Sequence, residues 1–197
     1  MKTLCKTSLL GLAFVSTASM AQLSNFTGWE AGASISSTKA RIEYKTSSSF
    51  SESDANNTSL SLHGGYGIAL NDDYAILLGF DLNTDKTKYG KLSGTNRYAP
   101  KNAYAISIAP AMLLNDNALL FVKFSSEVAA SDCDGCTLIT DRNGFGFGFG
   151  GRYLLRKGTY VQAEIKGVKY NDIMDESNSS SIKIYNSQVN IGIGFNF

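Results

Sequence analysis

The sequence predicts an all-β fold, an eight-stranded antiparallel up-and-down transmembrane β-barrel, on three observations. Apolar residues recur at every second position in eight separate segments, which is the period of a strand. The connections between those segments alternate in length, three short and four long. One face of each segment carries large apolar side chains, while the other carries mostly Gly, Ala and Ser with a few charges. Beyond Val15 no apolar run approaches the roughly 20 residues a helix needs to cross a bilayer. A membrane-spanning reading therefore requires strands closed on themselves, because lipid leaves no partner for an unpaired backbone group.

Residues 1–21 read as a cleaved export signal. Lys2 and Lys6 give a positive start, Ser8 to Val15 an apolar stretch, and Ala18-Ser-Met-Ala21 a small-residue cleavage site before Gln22. Cys5 precedes the apolar stretch, the wrong side for a lipid-modified cysteine. Removing 1–21 leaves 16 basic and 17 acidic residues, so the mature domain, 22–197, carries a net charge of −1. With 18% charged residues and no basic patch, nucleic acid is excluded as a partner.

The strands follow in order. Trp29, Ala31, Ala33 and Ile35 alternate with Glu30, Gly32, Ser34 and Ser36. Leu60, Leu62, Tyr66, Ile68 and Leu70 form the second apolar row, and Tyr74, Ile76, Leu78, Phe80 and Leu82 the third. Tyr104, Ile106, Ile108, Pro110 and Met112 give the fourth, where a proline that cannot donate to the ladder calls for a bulge. Leu120, Val122 and Phe124 oppose Lys123, Ser125 and Glu127; Phe145, Phe147, Phe149 and Tyr153 oppose glycines and Arg152. Val161, Ala163 and Ile165 oppose Gln162, Glu164 and Lys166, and the last strand runs Val189, Ile191, Ile193, Phe195, Phe197. Tight turns fall at 71–73, 115–117 and 156–158, and long polar links near 46–57, 84–101, 129–142 and 171–181. Parity shifts between Ile35 and Ala40-Ile42-Tyr44, and between Ile165 and Val168-Tyr170, mark bulges or strand ends projecting above the membrane.

Size decides which face is inside. The interior of eight strands is just wide enough for side chains to fill, so large apolar groups from every strand would overpack it. Apolar residues then face lipid, with Trp29, Tyr66, Tyr74, Tyr104, Tyr153 and Phe197 at the interfaces. The opposite face carries Lys123, Arg152 and Lys166 against Glu30, Asp81, Glu127 and Glu164. Buried charges must be paired, so these seven are expected to form an ion-pair network plugging the lumen. A soluble barrel binding an apolar ligand would invert the faces and is the alternative from another class.

The stretch Gly146-Phe-Gly148-Phe-Gly150-Gly151 satisfies the G-x-G-x-x-G pattern of a dinucleotide site. No helix pattern follows it, and no acidic residue stands about 20 positions on, so no cofactor is expected. Its glycines are instead expected to leave lumen space for the charged side chains of neighbouring strands.

Val189-x-Ile191-x-Ile193-x-Phe195-x-Phe197 resembles the terminal strand of Gram-negative outer-membrane barrels. Together with the export signal and eight strands, the mature chain resembles the small OmpX/opacity-type family, with an OmpA-type barrel domain. The resemblance implies that Ile191, Ile193, Phe195 and Phe197 are read by the barrel-insertion machinery. It also implies outer-membrane location, contact with outer-membrane lipids and lipopolysaccharide, and a monomer. The family's roles range over adhesion, masking, membrane integrity and, in some members, a narrow pore.

Other candidate chemistry reads as structural. His63, the only histidine, falls on the lumen face as a hydrogen-bonded residue, whereas a lipid-modifying triad would have to open toward the bilayer. Cys133 and Cys136, in a long link of an exported chain, are expected to form a loop disulfide; zinc would need two more ligands. Asp132, Asp134 and Asp141 nearby read as solvated acids, and the Asn57 and Asn178 sequons as loop composition. The expected function is non-enzymatic: structural work or surface interaction through four external loops, with host or surface ligands as possible partners. A narrow channel for small solutes is the alternative in the same location.

Overall fold

The structure, a computed structural model, describes residues 23–46, 49–84, 91–92, 96–133, 142–156, 158–174 and 180–197. The expected export signal 1–21 and Cys136 lie outside these residues, and with Cys136 the expected disulfide. Eight long strands form the wall: β1 (Gly28–Thr46), β2 (Phe50–Ala69), β3 (Tyr74–Asn83), β5 (Asn96–Asn115), β6 (Ala118–Cys133), β7 (Arg142–Arg156), β8 (Thr159–Tyr170) and β10 (Ser180–Asn196). Two short pieces, β4 (Lys91–Leu92) and β9 (Ile173–Met174), pair with β5 and β10 beside the ring. Every wall strand is antiparallel to its sequence neighbour in the ring, and β1 closes on β10 from Glu30↔Asn196 to Thr46↔Ser180. Closure removes the sheet edges that lipid would not tolerate.

The tight turns are built from the residues that signalled them. Asn71 Oδ1 accepts from the backbone N–H groups of Asp73 (3.0 Å) and Tyr74 (2.8 Å), and Asn115 Oδ1 accepts from Asn117 N–H (3.0 Å). Gly158 supplies the positive φ of 74° in the third turn.

The opposite end corrects the sequence reading. The link near 46–57 is mostly strand, since β1 and β2 stay in register up to Lys45↔Phe50. Polar residues on both faces hide the alternation, while cross-strand ion pairs hold it outside: Lys39 Nζ lies 2.8 Å from Asp54, and Arg41 Nε 3.0 Å from Glu52 and 3.3 Å from Asp54. Strand likewise extends into the links near 84–101, 129–142 and 171–181. The parity shift after Ile35 is not a bulge, because the β1–β2 and β1–β10 registers run through unbroken. The strand has left the apolar band, and its apolar residues now point inward: Ala40 and Ile42 are buried while Lys39 and Arg41 are exposed. The same holds after Ile165, where Val168 and Tyr170 are buried and the β8–β10 register is continuous.

Pro110 carries no bulge either. Ile108↔Phe124 and Ala111↔Phe121 share one register, so the ladder omits the rungs at Ala109 and Pro110 without inserting a residue. Pro110 still sits opposite Ile76 on β3. The real irregularities in the wall lie at Lys101/Ala103, Leu113/Asn115 and Leu154/Arg156, toward strand ends.

Outside, the large apolar residues form one exposed band, with Ile35, Ile106, Phe145, Phe149 and Ile191 all more than half exposed. An outward surface of this kind fits hydrocarbon, not water, and rules out a soluble barrel with an apolar interior. Trp29 and Tyr66 meet edge to face at the turn end, ring centroids 5.1 Å apart.

Candidate functional site: a filled lumen

All seven charged residues predicted for the interior point inward and converge. Successive inward positions of β8 (Gln162, Glu164, Lys166) set three tiers along the barrel axis. In the tier nearest the tight turns, Arg152 of β7 grips Glu30 of β1 with two bonds, Nη1 to Oε2 (2.5 Å) and Nη2 to Oε1 (2.8 Å). Its Nε donates to Gln162 Oε1 at 2.7 Å, and its guanidinium lies 4.5 Å from the Tyr160 ring centroid. In the middle tier Lys123 of β6 reaches Glu164 at 2.6 Å and Asp81 at 3.6 Å. In the upper tier Glu127 Oε1 accepts from Lys166 Nζ (2.8 Å) and Ser125 Oγ (2.7 Å). Glu30, Glu127, Arg152, Glu164 and Lys166 are each buried.

The glycines of β7 make this possible. In register, Gly148 stands between Lys123 and Lys166, and Gly146 between Ser125 and Val168. A Cβ on Gly148 would stand 3.2 Å from Lys166 Cβ, and one on Gly146 would stand 3.1 Å from Glu127 Oε1. Side chains on β6 and β8 occupy the volume that β7 leaves empty.

The sequence reading missed the apolar layers above and below the charges. Toward the tight turns, Leu77, Leu119, Phe121, Leu154 and Tyr160 pack with Leu23 and Phe26, which precede β1 and fold back into the barrel mouth. Asn196 Nδ2 donates to Asn25 O, and Phe26 N–H to Leu23 O at 2.9 Å, fixing that segment. Toward the other end, Ala40, Ile42, Ala129, Val168, Tyr170 and Ile184 form a second buried cluster. The signal was present as unbroken apolar runs, Ile76-Leu-Leu78 and Leu119-Leu-Phe-Val122, which place apolar groups on both faces at once. Arg142, assigned to a link by its polar surroundings, is a further buried cation at the start of β7.

His63 Nε2 lies 3.3 Å from Tyr160 OH, and in register it faces Asp81, so it belongs to the lumen's polar network. A polar cavity of about 40 Å³ adjoins the network, with His63, Asp81, Lys123 and Glu164 among its walls. Among the described residues no group of three or more His, Cys, Asp or Glu comes together as a metal site. Cys133 ends β6 opposite Tyr98.

Ile191, Ile193 and Phe195 lie on the outward face of β10 and Phe197 follows its end; all four are exposed, Phe197 at 81%. Three of them seal the ring against β1 in the pairs Ile191↔Ile35, Ile193↔Ala33 and Phe195↔Ala31, and Phe197 N–H donates to Trp29 O at 2.8 Å.

No curated protein matches the sequence significantly. Solved structures with a similar course include Ail, the attachment invasion locus protein of Yersinia pestis (13% identity, 85% of this chain and 99% of that one, TM-score 0.47). Neisserial surface protein A is also similar (14% identity, 84% and 97%, TM-score 0.44), as is the outer-membrane protease OmpT of Escherichia coli (9%, 86% and 96%, TM-score 0.45). The family model described as "Outer membrane protein beta-barrel domain" matches residues 7–197, nearly the whole sequence, and agrees with the closed ring and its lipid-facing band: the chain belongs to the outer-membrane β-barrel family.

Proposed function

We propose that this protein is a monomeric, non-enzymatic outer-membrane barrel that works through its external surface, in adhesion, masking or membrane integrity. The observation that carries this reading is the filled lumen. Among the described residues, three tiers of paired charge lie between two apolar clusters, which supports a bore closed to solutes and a role for the groups displayed outside. Among the described residues, the β1–β2 hairpin rises beyond the apolar band and displays Lys39, Arg41, Glu52 and Asp54. The non-enzymatic part rests on His63, which is turned toward Tyr160 inside the lumen and away from the bilayer.

Shortening the hairpin tests the reading. Replacing residues 39–56 by Asn-Gly would close the strands at the Thr38↔Asn57 pair with a two-residue turn. The barrel is expected to assemble, shown by heat-dependent gel mobility, while whole-cell binding to matrix or serum proteins is lost. Unchanged binding would move the function to another surface, and an esterase, acyl-transfer or protease activity in purified protein would end the non-enzymatic reading.

Outer-membrane lipids, lipopolysaccharide among them, and the barrel-insertion machinery are the partners this reading implies. Ile191, Ile193, Phe195 and Phe197 are proposed as the segment that machinery reads. Phe197→Ala should slow assembly in cells while leaving the refolded barrel's stability nearly unchanged, because Phe197 is exposed beyond the last ladder pair.

A further inference from the structure

The lipid-facing wall carries an apolar groove of about 400 Å³ that the lumen network does not use. Its walls are Tyr74 of β3, Pro110 and Met112 of β5, Leu120 and Val122 of β6, and Phe149 of β7. The groove lies where the β5–β6 ladder omits its rungs at Ala109 and Pro110. On β7 the next outward position is Gly151, whose absent side chain lets Leu120 lean across; a Cβ there would stand 3.2 Å from Leu120 Cδ2.

Its depth is set by the turns. Tyr74 is the first residue of β3 after the 71–73 turn, and Met112 lies opposite it just before the turn at 116–117. In a barrel of this family the tight turns face the periplasm, so the groove opens into the periplasmic leaflet. Leu113 N–H donates to Asp73 O at 2.7 Å, which holds that turn against the end of β5. Asp73 and Asp116, both exposed, therefore stand at the rim below the groove.

We infer that this groove seats one glycerophospholipid of the periplasmic leaflet, an acyl chain along the groove and a primary ammonium head group against Asp73 and Asp116. Water does not fill an apolar groove, and an empty one forfeits the contacts of its lining. Surrounding lipid tails are as apolar as the wall, so transfer from bilayer to groove brings no hydrophobic gain. Selection rests on packing against the recess and on the head-group charge. Two carboxylates at the rim attract an ammonium and repel a lipid of net negative charge.

Native mass spectrometry of the full mature barrel, refolded and given equal amounts of phosphatidylethanolamine and phosphatidylglycerol in detergent, tests this. Wild type should retain one phosphatidylethanolamine with a preference of about threefold or more, the size that two exposed ion pairs give. Val122→Trp, which fills the groove from the lipid side, should lower retention about tenfold, while Ile106→Trp, elsewhere on the same face, should not. Asp73→Asn with Asp116→Asn should keep one lipid bound and bring the two lipids to parity. Heat-dependent mobility confirms that each variant is folded. Equal retention by Val122→Trp, or a wild-type preference for phosphatidylglycerol, would overturn the assignment; neither outcome bears on the surface function proposed above.

Discussion

Arg152 is held from several sides, by two bonds to Glu30, one to Gln162 and a cation–π contact with Tyr160. Removing it alone leaves a carboxylate buried without its ion, and breaking a buried pair of this kind costs about 3–5 kcal/mol. Arg152→Met and Glu30→Gln should each destabilise by that order, whereas the double variant should recover most of the loss. Urea unfolding in vesicles, followed by the fluorescence of Trp29, the single tryptophan, would measure the cycle. Outside the membrane the logic of charge is different. The hydrogen bond from Lys39 holds the Asp54 carboxyl below its ordinary value of 3.8, with Arg41 adding to the effect. A depressed folded-state value means the interaction is fully present above the unfolded value and is lost as pH falls through the folded one, so the change falls below 3.8. Carboxyl NMR should place the Asp54 midpoint below that value in the barrel, and Lys39→Met should move it upward. Which residues enter the lumen was legible from charge on the alternating small-residue face. Which pairs with which was not: Glu30 on β1 meets Arg152 on β7 across the interior, and that meeting depends on how the closed ring aligns strands that are not neighbours.

Among the elements, β7 shows how a strand can specify a lumen by what it lacks. Its Phe residues face outward at positions 145, 147 and 149, while Gly144, Gly146, Gly148 and Gly150 yield the interior to Glu127, Ser125, Lys123 and Lys166. Gly148→Leu should therefore be far more damaging than its size suggests. It would overpack the site, at about 1–3 kcal/mol, and displace the Lys166 side chain from Glu127 as well. The expected outcome is a barrel that no longer shifts on heating in gel mobility, whereas Phe147→Leu, on the lipid face, folds as wild type. That division of β7 was legible because both of its faces are uniform. Strand ends were not, and the β1–β2 hairpin shows why. Ser, Asn, Asp and Lys on its outer face read as a link, but the residues that hold it in register are the cross-strand charges and the inward Ala40 and Ile42. Pro110 misled in the other direction. A lost donor called for a bulge, and the closed ring instead kept its register and left rungs out.

On the scale of the whole molecule the described lumen residues stack as apolar cork, charge and apolar lid, and under the proposed function each layer would close the path by different physics. Leu23 and Phe26 block the turn end by packing, with Leu119, Phe121 and Tyr160 beneath them. The middle is closed by ion pairs that would have to separate in a low-dielectric interior before an ion could pass. The far cluster of Ile42, Val168, Tyr170 and Ile184 packs at the other end, beyond the polar cavity that adjoins those pairs. Conductance should therefore respond to combinations and not to single changes. In planar bilayers the wild-type barrel is expected to show no steady single-channel steps. Leu23→Ser with Phe26→Ala should remain silent, because the charge layer still fills the bore. Arg152→Met alone should remain silent as well, since the apolar layers on both sides stay packed. Joining those three changes with Tyr170→Ala and Ile184→Ala should produce small, steady steps, provided the variant still shows its heat-dependent mobility shift. Steps in the wild type would mean that the three layers do not close the bore, and the function would then be transport. Steps from the cork variant alone would mean that Leu23 and Phe26 are the only barrier, and the ion pairs would be lining an existing water path.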